Sequence, residues 1–331
     1  MTKQVKLSIL DFASILPGES PADSFKRSLA LAQQAEKLGY HRIWYAEHHN
    51  MPSIASSAPA VLIAYIGAQT SHIRLGAGGV MLPNHSPLSV AEQFGSLAEM
   101  YPDRIDLGLG RAPGTDLRTL TALRRSPEDA ERFPQDVQEL AGYLGDKSLI
   151  EGVQATPGQG TKVPLYILGS SLFGASLAAA LGLPYAFASH FAPTHLEAAI
   201  KLYRERFTPS EQLEKPYVIA AVNLLAADSL EEAKAQQVIA HRQRVKALMK
   251  LGDRNLSDQE LDVLVASAPG QNIIEMLRYT ALGSGQQVAD YLDRFARLVD
   301  ADELMISNLS PSTAQAARGL EILAEAMRLI H

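Results

Sequence analysis

The segment IWYAEHHN, residues 43–50, turns from apolar to polar in a single step. Ile43, Trp44 and Tyr45 are β-branched or aromatic and suit a buried strand. Glu47, His48, His49 and Asn50 do not suit its continuation. An Ala-rich helix is expected just beyond, over residues 57–69. The segment therefore reads as one strand–helix unit whose strand ends on an acid and two imidazoles. Whether that unit repeats decides the fold.

It repeats in both directions. Upstream, Val5–Leu10 is strand-like, and residues 23–38 set Phe25, Leu29, Ala32 and Ala35 on one helical face before Gly39 closes the helix. The strand of the opening segment itself covers Arg42–Ala46. Further strands are expected at Ile73–Leu82, Arg104–Leu109, Val163–Leu168, Tyr185–Ala188, Tyr217–Ala226 and Glu303–Ile306. Helices are expected at 87–100, 172–181, 193–206, from Ser229 to about Leu251, and at 286–299. The polar stretch from strand four to about residue 160 reads as one long helix and a loop. Residues 252–283 read as an insertion with short helices and a loop at Ala268-Pro269-Gly270. A last helix puts Leu320, Leu323, Met327 and Ile330 on one face. Eight strands, each followed by a helix and without a linker-like break, predict a (β/α)8 TIM barrel, an α/β fold with an insertion after strand seven. Residues 1–331 then form a single domain. The rival is a doubly wound sheet in two halves, and the count of eight favours the barrel.

Composition narrows the function. The chain has 331 residues, 47% hydrophobic, with a formal net charge of −6 and no Lys/Arg block, so neither nucleic acid nor an anionic membrane is an expected partner. It has no cysteine, which removes thiol nucleophiles, disulfides and cysteine metal sites and fits a cytoplasmic location. No apolar run is long enough to span a bilayer.

Barrel active sites form where strands end. Polar groups fall at those places: Asp11, Glu47-His48-His49, Asn84-His85, Gly110-Arg111, Gly169-Ser170-Ser171 and Ser189-His190. For Glu47-His48-His49 an acid–base or hydrogen-bonding role is expected. The alternative is a plain loop, with one histidine capping a helix and Glu47 paired to an arginine. Neighbouring side chains in extended chain diverge, so His48 and His49 do not share a metal, and no metal is expected. Arg111 suits an anion clamp, since a guanidinium matches a phosphate bidentately, or else a surface ion pair. The Gly-Ser-Ser turn before the helix at 172 offers free N–H groups and hydroxyls, and with Arg111 it forms a candidate phosphate cup; the alternative is ordinary N-capping. In RLGAGGVMLPNHSP, residues 74–87, three glycines in four positions imply a bulge, a flat ligand against the backbone, or a tight barrel bend. DLGLGRAPG, residues 106–114, fails as a dinucleotide fingerprint: its glycine spacing is one residue too long and Pro113 interrupts it.

AEHHN, LGAGGVMLPNHSPLSVAEQFGSLAEMYPDRIDLGLGRAPG, LGSSLFGASLAAALGLPYAFASHFAP and DADELMIS together resemble the bacterial-luciferase-like flavin-dependent monooxygenase family, most closely its single-chain YhbW-type branch. The resemblance runs from residue 5 to 307. It implies reduced FMN, taken up as a cosubstrate from a separate flavin reductase, and O2, which together oxygenate a small apolar or aldehyde-type substrate through a C4a-peroxyflavin. It implies His48 as the catalytic histidine, with Glu47 or a backbone carbonyl fixing its tautomer. It also implies phosphate ligands at Arg111, Gly169, Ser170, Ser171 and Gly174, and Gly78 and Gly79 against the flavin ring with a cis peptide between them. A homodimer is implied too. Gly110 stands where the light-emitting subunit has a cysteine, and Ser170 where it has an acid, so light emission is not expected. The alternatives are an F420-dependent hydride-transfer oxidoreductase and a non-catalytic flavin-binding protein.

Overall fold

The computed structural model describes residues 5–252 and 254–329. Eight parallel strands close into a barrel: β1 (Lys6–Asp11), β2 (Arg42–Tyr45), β3 (Arg74–Met81), β4 (Ile105–Gly110), β5 (Leu165–Gly169), β6 (Tyr185–Phe187), β7 (Val218–Ala226) and β9 (Glu303–Asn308). β9 pairs with both β1 and β7, which joins the two edges of the sheet. All nine residues of β7 are buried, as befits a parallel strand covered on both faces. The expected (β/α)8 fold is present. Among the outer helices, α1 (Pro21–Lys37), α2 (Pro59–Gly67), α3 (Pro87–Met100), α6 (Leu172–Leu181), α7 (Leu196–Arg206), α11 (Gly285–Leu298) and α12 (Thr313–Ala326) follow the expected positions. Leu320, Leu323 and Met327 of the last helix and its C-cap are buried, while Ile330 lies outside the described residues.

Three local expectations need correction. The stretch after β4 is not one long helix but α4 (Leu117–Ala122), a 3-10 segment (Pro127–Arg132) and α5 (Phe133–Leu144). Arg124 adopts a positive φ of 58°, and Pro127 and Pro134 each suit the start of an element rather than its interior. Ala268-Pro269-Gly270 is not a loop but the first turn of α10 (Ala268–Glu275), which follows α9 (Asp258–Ala266). Ser267 caps it by accepting from the Gly270 N–H at 3.2 Å, and proline is tolerated in a first turn because that N–H has no helical partner. The region taken as insertion also supplies a ninth strand, β8 (Thr280–Gly283), paired with Asn223–Ala226 of β7.

The barrel interior is layered. Arg42, Asp106 and Glu303 lie two residues before Trp44, Gly108 and Met305 on their strands, so each pair shares the inward face. The floor is ionic. Arg42 Nη1 donates to Asp106 at 2.7 Å and Nη2 to Glu303 at 3.1 Å, while Arg74 also pairs with Asp106. Ser8 and Tyr217 donate to Glu303. Above it pack Trp44, Tyr166 and Met305. Gly76 has to be glycine here, since a Cβ would sit 2.7 Å from the Trp44 indole nitrogen. Gly79 is equally confined, its Cβ position lying 2.6 Å from the Gly108 carbonyl oxygen. The strand register slips between Ala77 and Val80, the bulge that the glycines implied. The Gly78–Gly79 peptide is cis, as the resemblance implied.

Candidate active site

β2 ends at Tyr45, and the chain turns out of the barrel with its next side chains diverging. Glu47 is fully buried, whereas His48 and His49 are partly exposed. Glu47 Oε1 lies 2.8 Å from His49 Nε2 and 2.8 Å from His85 Nε2, and its Oε2 accepts from the Met81 N–H at 3.1 Å. Burial would push the Glu47 carboxyl up, but these three hydrogen bonds outweigh it and hold the group below its ordinary range. An ionised carboxylate only accepts, so both imidazoles donate through Nε2–H. Glu47 therefore does not orient His48, as expected from their adjacency; it ties together the ends of β2 and β3. The ligand atoms of Glu47, His49 and His85 lie within 4.8 Å of one another, and hydrogen bonds account for that convergence.

His48 faces elsewhere. Its Nδ1 is buried and has no hydrogen-bond partner among the described residues, while its backbone N–H donates to Ser56 O at 3.0 Å. Its ring lies 5.9 Å from Phe12, which in turn lies 6.2 Å from His190 at the end of β6. Burial lowers the pKa of His48, leaving it neutral at neutral pH. Burial, reinforced by the nearby Arg244 charge, lowers His190 to about 3. The remaining rim groups have structural duties. Asp11 accepts from the Ala13 N–H at 2.8 Å, and Asn84 donates to Pro113 O at 2.9 Å.

At the end of β4, Arg111 is exposed and lies over the ring of Phe173, 4.0 Å from its centroid. Phe173 belongs to the first turn of α6, so the guanidinium stands at that helix's N-terminus. Ser171 occupies the N-cap position but makes no side-chain cap. Its hydroxyl is not spent on the helix, contrary to the plain capping alternative. Ser170 precedes it at the strand end. Gly169 and Gly174 meet across the turn, each Cβ position lying 3.4 to 3.5 Å from the other's Cα, which brings the helix start close to β5. Gly174 is buried against Tyr185 rather than open to the mouth.

After β7 comes α8 (Leu230–Leu248), which packs against β7, β8 and the two helices α9 and α10. Sequence reasoning assigned this helix no role.

A family model described as luciferase-like monooxygenase matches residues 5–302. The chain is 46% identical to a luciferase-like monooxygenase of Escherichia coli K12 over 309 residues, 92% of each protein. It is 32% identical to an N-acetyl-S-alkylcysteine monooxygenase of Bacillus subtilis 168, over 98% of each. The crystal structure of apo-MsnO8 superposes with a TM-score of 0.87 at 35% identity, covering 98% of this chain and 99% of that one.

Proposed function

The chain belongs to the luciferase-like monooxygenase family, and on that premise we propose that it is an FMN-dependent monooxygenase acting on a small apolar or aldehyde-type substrate. The observation that carries this reading is Arg111 beside the α6 N-terminus with an uncommitted Ser171 hydroxyl, a grouping of donors and positive charge that suits a phosphate. Reduced FMN, delivered by a separate reductase, supplies the electrons with which O2 is activated.

The chain's own groups divide the remaining work. Arg111, Gly169, Ser170 and Ser171 hold the phosphate, with Gly174 keeping the turn close to β5. Gly78 and Gly79 leave the wall at β3 without side chains for a flat ring. His48 is neutral, and with Nδ1 buried its Nε2 is the atom that exchanges a proton with substrate. Glu47 acts at one remove by fixing the loop on which His48 sits. Residues 1–331 are read as one domain with the insertion at 252–283, working in the cytoplasm as a homodimer; Val61 and Tyr65 of α2, 70% and 40% exposed, offer apolar surface for that contact. Among the described residues no helix is long and apolar enough to cross a membrane.

Titration with FMN, reduced FMN and F420, followed by absorbance and fluorescence, tests the reading. Reduced FMN should bind and F420 should not. Tight binding of F420 alone would favour the hydride-transfer alternative, and flavin binding without oxygenation would favour the non-catalytic one.

A further inference from the structure

Glu47, His49 and His85 meet at the joint between the ends of β2 and β3. The Glu47 side chain is 1% exposed and ionised, yet it pairs with no lysine or arginine among the described residues; its partners are two imidazoles and the Met81 N–H. A buried carboxylate without a fixed countercharge is costly. The two rings come from different strand ends, and both present Nε2 to the same oxygen, Oε1, at 2.8 Å. The three donor atoms lie within 4.8 Å of one another. His49 and His85 keep 17% and 31% of their side chains exposed, so solvent reaches both rings. The main chain beneath them is fixed. Thr115 Oγ1 donates to His49 O at 3.2 Å, and the His85 N–H donates to Leu82 O at 2.9 Å. His48 takes no part, because its side chain diverges from that of His49.

We infer that this group is a binding site for a divalent transition-metal ion of the zinc class, with Glu47 Oε1 and the Nε2 atoms of His49 and His85 as its protein ligands. Hydrogen bonds hold the three side chains together, and the same atoms form a two-histidine, one-glutamate set, which zinc binds tetrahedrally with water in the fourth position. Imidazole nitrogens favour zinc, nickel and copper over calcium and magnesium, which take oxygen ligands. With metal–donor lengths of about 2.0–2.2 Å, the donors of a tetrahedral site stand about 3.4 Å apart. Each 2.8 Å contact therefore opens by about half an ångström, within reach of two partly exposed rings. Each ring moves its Nε2 proton to Nδ1, and neither Nδ1 is a buried atom left without a partner. Glu47 Oε2 keeps the Met81 N–H, which orients the carboxylate towards the ion. The ion supplies the charge that Glu47 lacks and clamps the loop bearing His48 to the end of β3. The inference does not rest on the flavin reading.

The test uses the full chain, stripped with EDTA and free of flavin, and titrates it with Zn2+ by isothermal titration calorimetry. Wild type should bind Zn2+ and melt at a higher temperature with it, because the ion binds the folded state. His49→Ala, His85→Ala and Glu47→Gln should each weaken binding by on the order of 100-fold or more, since even groups that merely orient metal ligands are worth roughly 10- to 100-fold. His72→Ala, which alters an exposed histidine beside Glu36, should leave the affinity unchanged. Co2+ should compete with Zn2+ and show the visible absorption of a four-coordinate ion, whereas Mg2+ should not compete. Absence of Zn2+ binding in wild type overturns the inference. So does a loss in His72→Ala equal to that in His85→Ala, which would assign the binding to scattered surface histidines. If His85→Ala does not fold, His85→Gln replaces it, keeping a polar side chain without the imidazole. Any folded variant of Glu47, His49 or His85 that binds Zn2+ as tightly as wild type overturns the inference.

Discussion

Arg42 and Asp106 meet at 2.7 Å in the sealed floor of the barrel, with both side chains almost wholly withdrawn from solvent. Arg74 and Glu303 complete the set, so two guanidiniums face two carboxylates and the cluster is neutral. The neighbouring His41, pushed down to about 4 by burial, stays uncharged and accepts from Arg42.

Asp106→Ala should destabilise the protein by about 3–5 kcal/mol, because the buried Arg42 and the partly buried Arg74 lose a shared partner. Urea unfolding measures it. A change below about 1 kcal/mol would mean that water or a shifted side chain replaces the carboxylate.

Glu47 should make the protein sensitive to acid. Its folded pKa lies below the ordinary 4.5, so its contribution is complete above that value and is lost as pH falls through the folded pKa. The stability difference between wild type and Glu47→Gln should therefore be largest near neutrality and shrink below about pH 4.5. A difference that stays constant down to pH 3, roughly a unit below the ordinary glutamate value, would show that charge is not what the two imidazoles bind.

Arg111→Ala should weaken FMN binding by roughly tenfold or more and riboflavin binding far less, since only FMN presents a phosphate to the guanidinium. Parallel fluorescence titrations decide it, and equal losses would remove Arg111 from the phosphate site.

His48→Ala should bind reduced FMN normally yet lower turnover by about 100- to 10,000-fold, the usual worth of a general acid–base group. Decanoate formed from decanal, with reduced FMN and O2 supplied, is a suitable readout. His49→Ala should act mainly through stability, since that ring serves Glu47. Burial keeps His48 neutral below its ordinary value, so the acid limb of the wild-type profile should fall below 6.5.

The barrel was legible because each strand is a short apolar run that stops abruptly, as at Tyr45 and Phe187, and each helix carries its own period. The divergence of His48 from its neighbours followed from strand geometry alone. What could not be read were the long-range partners. His85 reaches Glu47 across 38 positions, and nothing in either segment announces it. Asp106 and Glu303 lie inside strands, where a charge reads as an outward-facing residue until closure of the sheet turns it inward. β8 has four residues, too few to display a period. Arg242 sits near Lys246 and Lys250 in the sequence, and only the fold shows that it pairs with Asp258 and Asp262.

The chain leaves β7 after Ala226 and returns to it at β8, where Gly283 pairs in register with Ala226 itself. Exit and re-entry are therefore pinned together by the main chain, at one corner of the sheet. Lengthening or rewriting what lies between costs little closure entropy, since the ends are already joined and the penalty grows only logarithmically with length. The excursion behaves as an exchangeable cassette on a fixed socket. The excursion can therefore change in length and content while the strands that carry the candidate site keep their places.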